Sequence, residues 1–121
     1  MTGRLTVEVV ATADDEARLR LAGDIDVAAD EALAAAYAQA AEAGAARVVL
    51  DFERVDYINS TGIALIVRLL AEARRDRREV VALHLSDHYR EIFRITRLSD
   101  YLTIADGPAA QAPTVPEEAA R

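Results

Sequence analysis

The chain of 121 residues contains no cysteine. Disulfides, zinc–thiolate centres and thiol catalysis are therefore excluded. It contains no lysine either, so its basic residues are all arginine. These are outnumbered by acids and the formal net charge is −7. An acidic chain with dispersed arginines lacks the basic face that nucleic acid requires. No apolar run reaches the length of a membrane span, because charges interrupt every segment. Met1-Thr2-Gly3-Arg4 leads straight into strand-like alternation with no signal-peptide core. A cytoplasmic protein with no membrane insertion is expected. Proline is confined to Pro108, Pro113 and Pro116, and no internal repeat is visible.

What is present fits one domain with one core: 52% hydrophobic residues and 29% charged. Leu5, Val7 and Val9 alternate with Arg4, Thr6 and Glu8, the period of a half-buried strand. Thr12 to Asp15 is a polar turn, and Ala17, Leu19 and Leu21 alternate with Arg18 and Arg20. The two runs predict a hairpin over Arg4–Ala11 and Glu16–Ala22, with Gly23-Asp24-Ile25-Asp26 stopping the second strand. Asp26 is placed to cap a helix over Val27–Ala43, with Asp30 and Glu31 in its first turn and Gly44 as its stop. Leu33 and Tyr37 share one face of it, and Ala35, Ala36 and Ala40 read as plain packing.

The most β-like run is Arg47–Phe52, without clean alternation, which predicts a central strand covered on both faces. Glu53 to Asp56 reads as a link, followed by a short apolar point at Tyr57-Ile58. Ser60 or Asn59 then caps a helix from about Thr61 to Arg75. Ile63, Leu65, Ile66, Val67, Leu69 and Leu70 cover most of its circumference, so it is expected to be the most buried helix. Gly62 in its first turn predicts close approach to a neighbouring backbone. Val80–Leu85 is a further strand, and Ser86-Asp87 caps a third helix with Tyr89, Ile92, Phe93 and Thr96 on one face. Leu98-Ser99-Asp100 ends it and Tyr101–Ile104 is a last strand.

The order β-β-α-β-α-β-α-β predicts an α/β fold: a small mixed sheet, mainly parallel, with an antiparallel first strand at the edge and helices mainly on one face. Residues 1–105 form the domain, and the Pro/Ala-rich residues 106–121 are expected to be a flexible tail.

Val49-Leu50-Asp51-Phe52, then Val55-Asp56-Tyr57-Ile58-Asn59-Ser60-Thr61-Gly62-Ile63, resembles the signature of the STAS domain, the fold of bacterial anti-sigma factor antagonists. In that family a buried strand runs into Asp-Ser-Ser/Thr-Gly-Leu/Ile at a helix start. Leu21-Ala22-Gly23-Asp24-Ile25-Asp26 is similar to the family's Leu-x-Gly-Glu/Asp-Leu/Ile-Asp, and Ile92 to Leu98 resembles its later helix. Together the matching segments run from Leu5 to Ile104. The resemblance implies a regulatory phosphoprotein of transcription signalling that binds an anti-sigma factor which is also a serine kinase. The kinase would phosphorylate Ser60 and so block binding, and a phosphatase would restore it. Asp24, Asp26, Asn59, Ser60, Thr61 and Gly62 would lie at the partner surface. Asn59 stands where the family usually has Asp, keeping the hydrogen-bonding shape without the charge.

Two further readings stay open: a STAS-like adaptor that binds a protein constitutively without phosphorylation, and a small anion- or nucleotide-binding domain using the Ser60 helix terminus. Taken alone, Ser60 also reads as a plain N-cap, and Asp24 and Asp26 as turn and cap residues. Thr61 is the fallback phosphoacceptor. No catalytic role is expected: Ser60 lies in no Gly-x-Ser-x-Gly elbow, His84 falls in a strand and His88 in a first helical turn. The two histidines lack a third ligand at fixed spacing, so neither a metal site nor a cofactor is expected. Arg74 to Arg78 reads as a solvated helix end.

Overall fold

The computed structural model describes residues 4–105, so the expected tail, residues 106–121, lies outside the described residues. The first two strands, β1 (Thr6–Ala13) and β2 (Glu16–Ile25), form the hairpin that the alternation predicts, turning at Asp14-Asp15. Val9 faces Leu19 across it, with a register shift between Ala11 and Ala13. Leu5, Ala17, Leu19 and Leu21 are buried.

Helix α1 (Asp30–Glu42) follows a single 3-10 turn, Val27–Ala29, so the helical region is split where one continuous helix was expected. Asp26 caps that turn, its carboxylate accepting from the Ala28 N–H at 3.0 Å. Leu33, Ala36, Tyr37 and Ala40 are buried, whereas Ala35 is exposed and packs nothing. Gly44 takes φ +82°, the left-handed conformation that ends a helix.

Strand β3 (Arg47–Ile58) is twelve residues long. It does not break into a link at Glu53–Asp56, and β2 does not stop at Gly23. The two corrections have one cause, because the tails of these strands pair with each other: Gly23 with Val55, Asp24 with Tyr57 and Ile25 with Ile58. Gly23 at φ +109° lies beside the register shift that makes this pairing fit. Strands β4 (Glu79–Leu83) and β5 (Thr103–Ala105) complete a sheet ordered β1-β2-β3-β4-β5. Only β1–β2 is antiparallel and the other pairings are parallel, as the strand–helix alternation requires.

Helix α2 (Ser60–Arg75) and helix α3 (Asp87–Ile95) lie with α1 on one face of the sheet. There Leu19, Val48, Leu50, Phe52 and Ala82 meet Leu33, Ile66, Leu69 and Phe93 in one core. Phe52 and Phe93 pack edge to face at 6.0 Å. The opposite face holds a small cluster of Val49, Val81 and Leu83, packed by Ala105, with no helix residue in it. β3 is thus buried on both faces, but a helix layer covers only one.

α2 buries a stripe of Gly62, Ile66, Leu69, Leu70 and Ala73. Val67 is 44% exposed, so the helix is one-sided rather than buried around most of its circumference. An Arg68–Asp30 ion pair ties its outer face to α1. On α3, Phe93 is fully buried, Tyr89 and Ile92 are half-buried, and Thr96 past its end is exposed. A 3-10 turn, Leu98–Asp100, then leads to β5, which begins two residues later than expected.

Candidate functional site

Strands β2 and β3 end together at the N-terminus of α2. β3 delivers Asn59, whose N–H donates to the Ile25 carbonyl at 3.2 Å. Its side-chain Oδ1 accepts from the Gly62 N–H at 2.8 Å. Of the two candidates for the cap, Asn59 takes the role, and Ser60 becomes the first helical residue. An amide oxygen accepts this bond as a carboxylate would, so the cap does not need a charge.

Gly62 fixes how close the turn sits to β2. A Cβ built on it would lie 1.9 Å from the Ile25 carbonyl oxygen and 2.7 Å from its carbon. Those are backbone atoms and cannot move aside as a flexible side chain would. The approach expected from the sequence is therefore real, and β2 and α2 are locked at this point.

With the cap taken by Asn59, Ser60 and Thr61 are both exposed. The Ser60 hydroxyl makes no hydrogen bond among the described residues. Asp24 and Asp26 flank the same end, both half-buried at the close of β2. Asp26 is engaged as a cap, and Asp24 Oδ1 is buried without a hydrogen-bond partner. The fold thus brings together the six residues singled out in sequence: the ends of β2 and β3 pair, and α2 starts from the latter.

Two neighbours were missed. Val27 is 70% exposed beside Asp26, and Tyr57 is 53% exposed opposite Asp24. Tyr57 was read as a short apolar point, although its place in an outer strand segment gives it little to pack against. Apolar side chains left in water beside a polar turn are the usual composition of a docking surface.

His84 also lies elsewhere than expected. It follows β4 rather than belonging to it, with φ +63°. Its Nδ1 is 2.9 Å from Asp51 Oδ1. His88 is exposed in the first turn of α3. Neither histidine is hydrogen-bonded to Ser60 among the described residues.

Comparison with known proteins adds an independent line. The family model described as Mlab, STAS domain, matches residues 8–104. A Bordetella bronchiseptica protein assigned as an anti-sigma factor antagonist, BtrV, is 34% identical over 92 residues, covering 76% of this chain and 79% of its own. The anti-sigma-B factor antagonist of Staphylococcus aureus is 27% identical over 96 residues, covering 79% and 89%. The solved anti-sigma factor antagonist SpoIIAA, unphosphorylated, superposes with a TM-score of 0.69 at 19% identity, over 88% of this chain and 93% of its own. Its phosphorylated form, from Bacillus, gives 0.65 at 21% identity over 83% and 91%. With the strand order, the α2 turn and the family match in agreement, the chain belongs to the STAS domain family.

Proposed function

We propose that this chain is an anti-sigma factor antagonist whose docking surface is the N-terminus of α2, and that phosphorylation of Ser60 switches it off. The partner is an anti-sigma factor with serine kinase activity, and a phosphatase reverses the modification. The observation that carries this reading is the state of Ser60: exposed, first in its helix, and relieved of capping by Asn59. The names of the relatives support it, as does the fact that SpoIIAA has been solved in both unphosphorylated and phosphorylated forms.

The physical account follows from the position. A phosphoserine carries a charge of about −1.5 to −2 at neutral pH. At the first residue of α2 the positive end of the helix offsets it, so the modified protein stays folded. Asn59 next to it is neutral and adds no repulsion. A docked partner changes the balance. The dianion would have to leave water among the exposed apolar side chains of Val27 and Tyr57, and that desolvation opposes binding.

Incubation with the cognate kinase and ATP, read by intact mass, tests the site. Wild type should gain one phosphate and Ser60→Ala none, with Thr61→Ala still modified. A gain that persists in Ser60→Ala and vanishes in Thr61→Ala would move the site to the fallback residue. No gain in wild type, with partner binding retained, would favour a constitutive adaptor.

A further inference from the structure

We propose that Asp51, Glu53 and His84 form a binding site for a divalent first-row transition ion such as zinc, where β3 runs on past the end of β4. The site is separate from the α2 turn and does not rest on the role assigned to Ser60.

Placement comes first. Asp51 and Glu53 are two apart on β3, at the point where its register against β2 shifts. Leu83 pairs with Asp51 at the end of β4, and His84 follows in a left-handed conformation that is uncommon for a non-glycine residue. The turn brings its Nδ1 to 2.9 Å from Asp51 Oδ1 and 3.9 Å from Glu53 Oε1. One donor atom from each of the three residues lies within 4.8 Å of the others. Zinc bonds of about 2.0–2.2 Å put donors of a tetrahedral site roughly 3.3–3.6 Å apart. Rotation of Glu53, whose side chain is 66% exposed, closes the difference.

The second observation is Asp51 itself. It is 5% exposed, the one charged residue in the buried set of the described chain. Its Oδ1 accepts from the Glu53 N–H at 3.0 Å, which fixes the carboxylate. Its Oδ2 accepts no hydrogen bond among the described residues, and the Arg18 guanidinium stands off at 4.0 Å. Asp51 Oδ1, the oxygen nearest His84, is thus held in place by the backbone, as outer-shell hydrogen bonds orient a metal ligand.

Donor type gives the class of ion, which would have to compete with Arg18, 4.0 Å from Asp51 Oδ2, and with Arg20 and Arg54 in the cleft beside the two carboxylates. One imidazole nitrogen with two carboxylate oxygens suits zinc and its first-row neighbours rather than magnesium or calcium. Three protein ligands leave a position open. Glu53 and His84 also line a cavity of about 200 Å³ with Ser86 and Tyr89, where water or a partner group would complete the shell. A bound ion would pin β3 to the exit of β4.

Zinc titration of the full chain by calorimetry, with imidazole resonances followed by NMR, tests the site. Wild type should bind one ion and shift the His84 resonances. Glu53→Gln should weaken binding by about tenfold or more while melting as wild type does without zinc. His84→Asn should abolish it, since asparagine tolerates the left-handed backbone and can still bond Asp51 but offers no imidazole. His88→Gln should bind as wild type does, and Arg18→Gln should bind more tightly. Absence of any heat or His84 shift at millimolar zinc would overturn the proposal. Binding that survives Glu53→Gln and His84→Asn but disappears in His88→Gln would overturn it too, leaving only a surface histidine. In either case the Asp51–His84 contact would be a hydrogen bond alone.

Discussion

At the end of the sheet where the parallel strands begin, loose backbone groups are tied down by neighbours far along the chain. The Ala46 and Arg47 N–H groups donate to the Asp15 carbonyl at 2.7 and 3.1 Å, and the Glu79 N–H donates to the Ala46 carbonyl at 2.9 Å. Arg78 reaches back to the Ala45 carbonyl at 2.8 Å, closing the C-terminal end of α1. The Tyr37 hydroxyl donates to Asp76 at 2.8 Å, joining α1 to the end of α2. At the other end, where β2 and β3 finish, Gly62 packs against the Ile25 carbonyl, the Asn59 N–H donates to that carbonyl at 3.2 Å, and the Ile58 N–H donates to the Tyr89 hydroxyl at 2.9 Å. Around these contacts lie an unbonded hydroxyl on Ser60, a buried unpartnered oxygen on Asp24 and exposed Val27 and Tyr57. The base ties most of its polar groups into the fold, Arg78 Nε being an exception, whereas the top leaves the Ser60 hydroxyl exposed and unbonded among the described residues. A mutation at the base should therefore cost stability, and one on the open part of the top should cost binding.

The tightest approach at the top is Gly62 against the Ile25 backbone, and breaking it should have the largest effect. Gly62→Ala drives a Cβ into backbone, so it should cost about 3 kcal/mol or more in denaturant unfolding. A wild-type midpoint would mean that α2 can slide away from β2 freely. Next, Arg78→Ala should cost about 2 kcal/mol, because a charged donor to the Ala45 carbonyl and to the Ala41 carbonyl in the last turn of α1 is lost, while partner affinity per folded molecule stays unchanged.

Tyr37→Phe should cost about 1 kcal/mol and also change the pH dependence. Burial, then the hydrogen bond to Asp76, holds the Tyr37 phenol well above the ordinary tyrosine range. Its folded pKa is raised, so its contribution is complete below pH of about 10 and is lost as pH rises towards the folded value. Wild type should lose stability in that alkaline window, and Tyr37→Phe should lose less, as read by urea midpoints across pH. Smallest among these, Asn59→Ala should cost about 1 kcal/mol through loss of the cap, and Asn59→Asp should melt as wild type does or slightly higher. A large loss in Asn59→Asp would show that the neutral cap itself is required.

How far the sequence carries depends on what each residue's environment repeats. Alternation in Leu5 to Leu21 and the apolar run Val48 to Phe52 set out the hairpin and the central strand, because local period and burial agree there. The lengths of β2 and β3 were not legible. Gly23 and the charged residues from Glu53 to Asp56 look like breakers, yet the two segments pair with each other, and no local pattern records a partner thirty residues away. Cap identity was undecided between Asn59 and Ser60, since both side chains can accept; the backbone at Asn59, extended with ψ −177°, decides it. The nearness of Asp24 and Asp26 to the Asn59–Gly62 turn was legible because turn chemistry and motif coincide there. Val27 and Tyr57 were not, since exposure depends on what lies above them. Asp51 carried a signal that went unused, a charge inside an apolar strand, and its partner His84 is 33 positions on.

The most direct test of the top-versus-base account is the affinity of the anti-sigma factor for wild type, Ser60→Asp and Ser60→Ala, with unfolding midpoints measured on the same samples. Ser60→Asp should weaken binding by tenfold or more, Ser60→Ala should bind as wild type does, and all three midpoints should agree within about 0.5 kcal/mol, as for an exposed residue. Equal affinity for wild type and Ser60→Asp at equal stability would contradict a switch at Ser60.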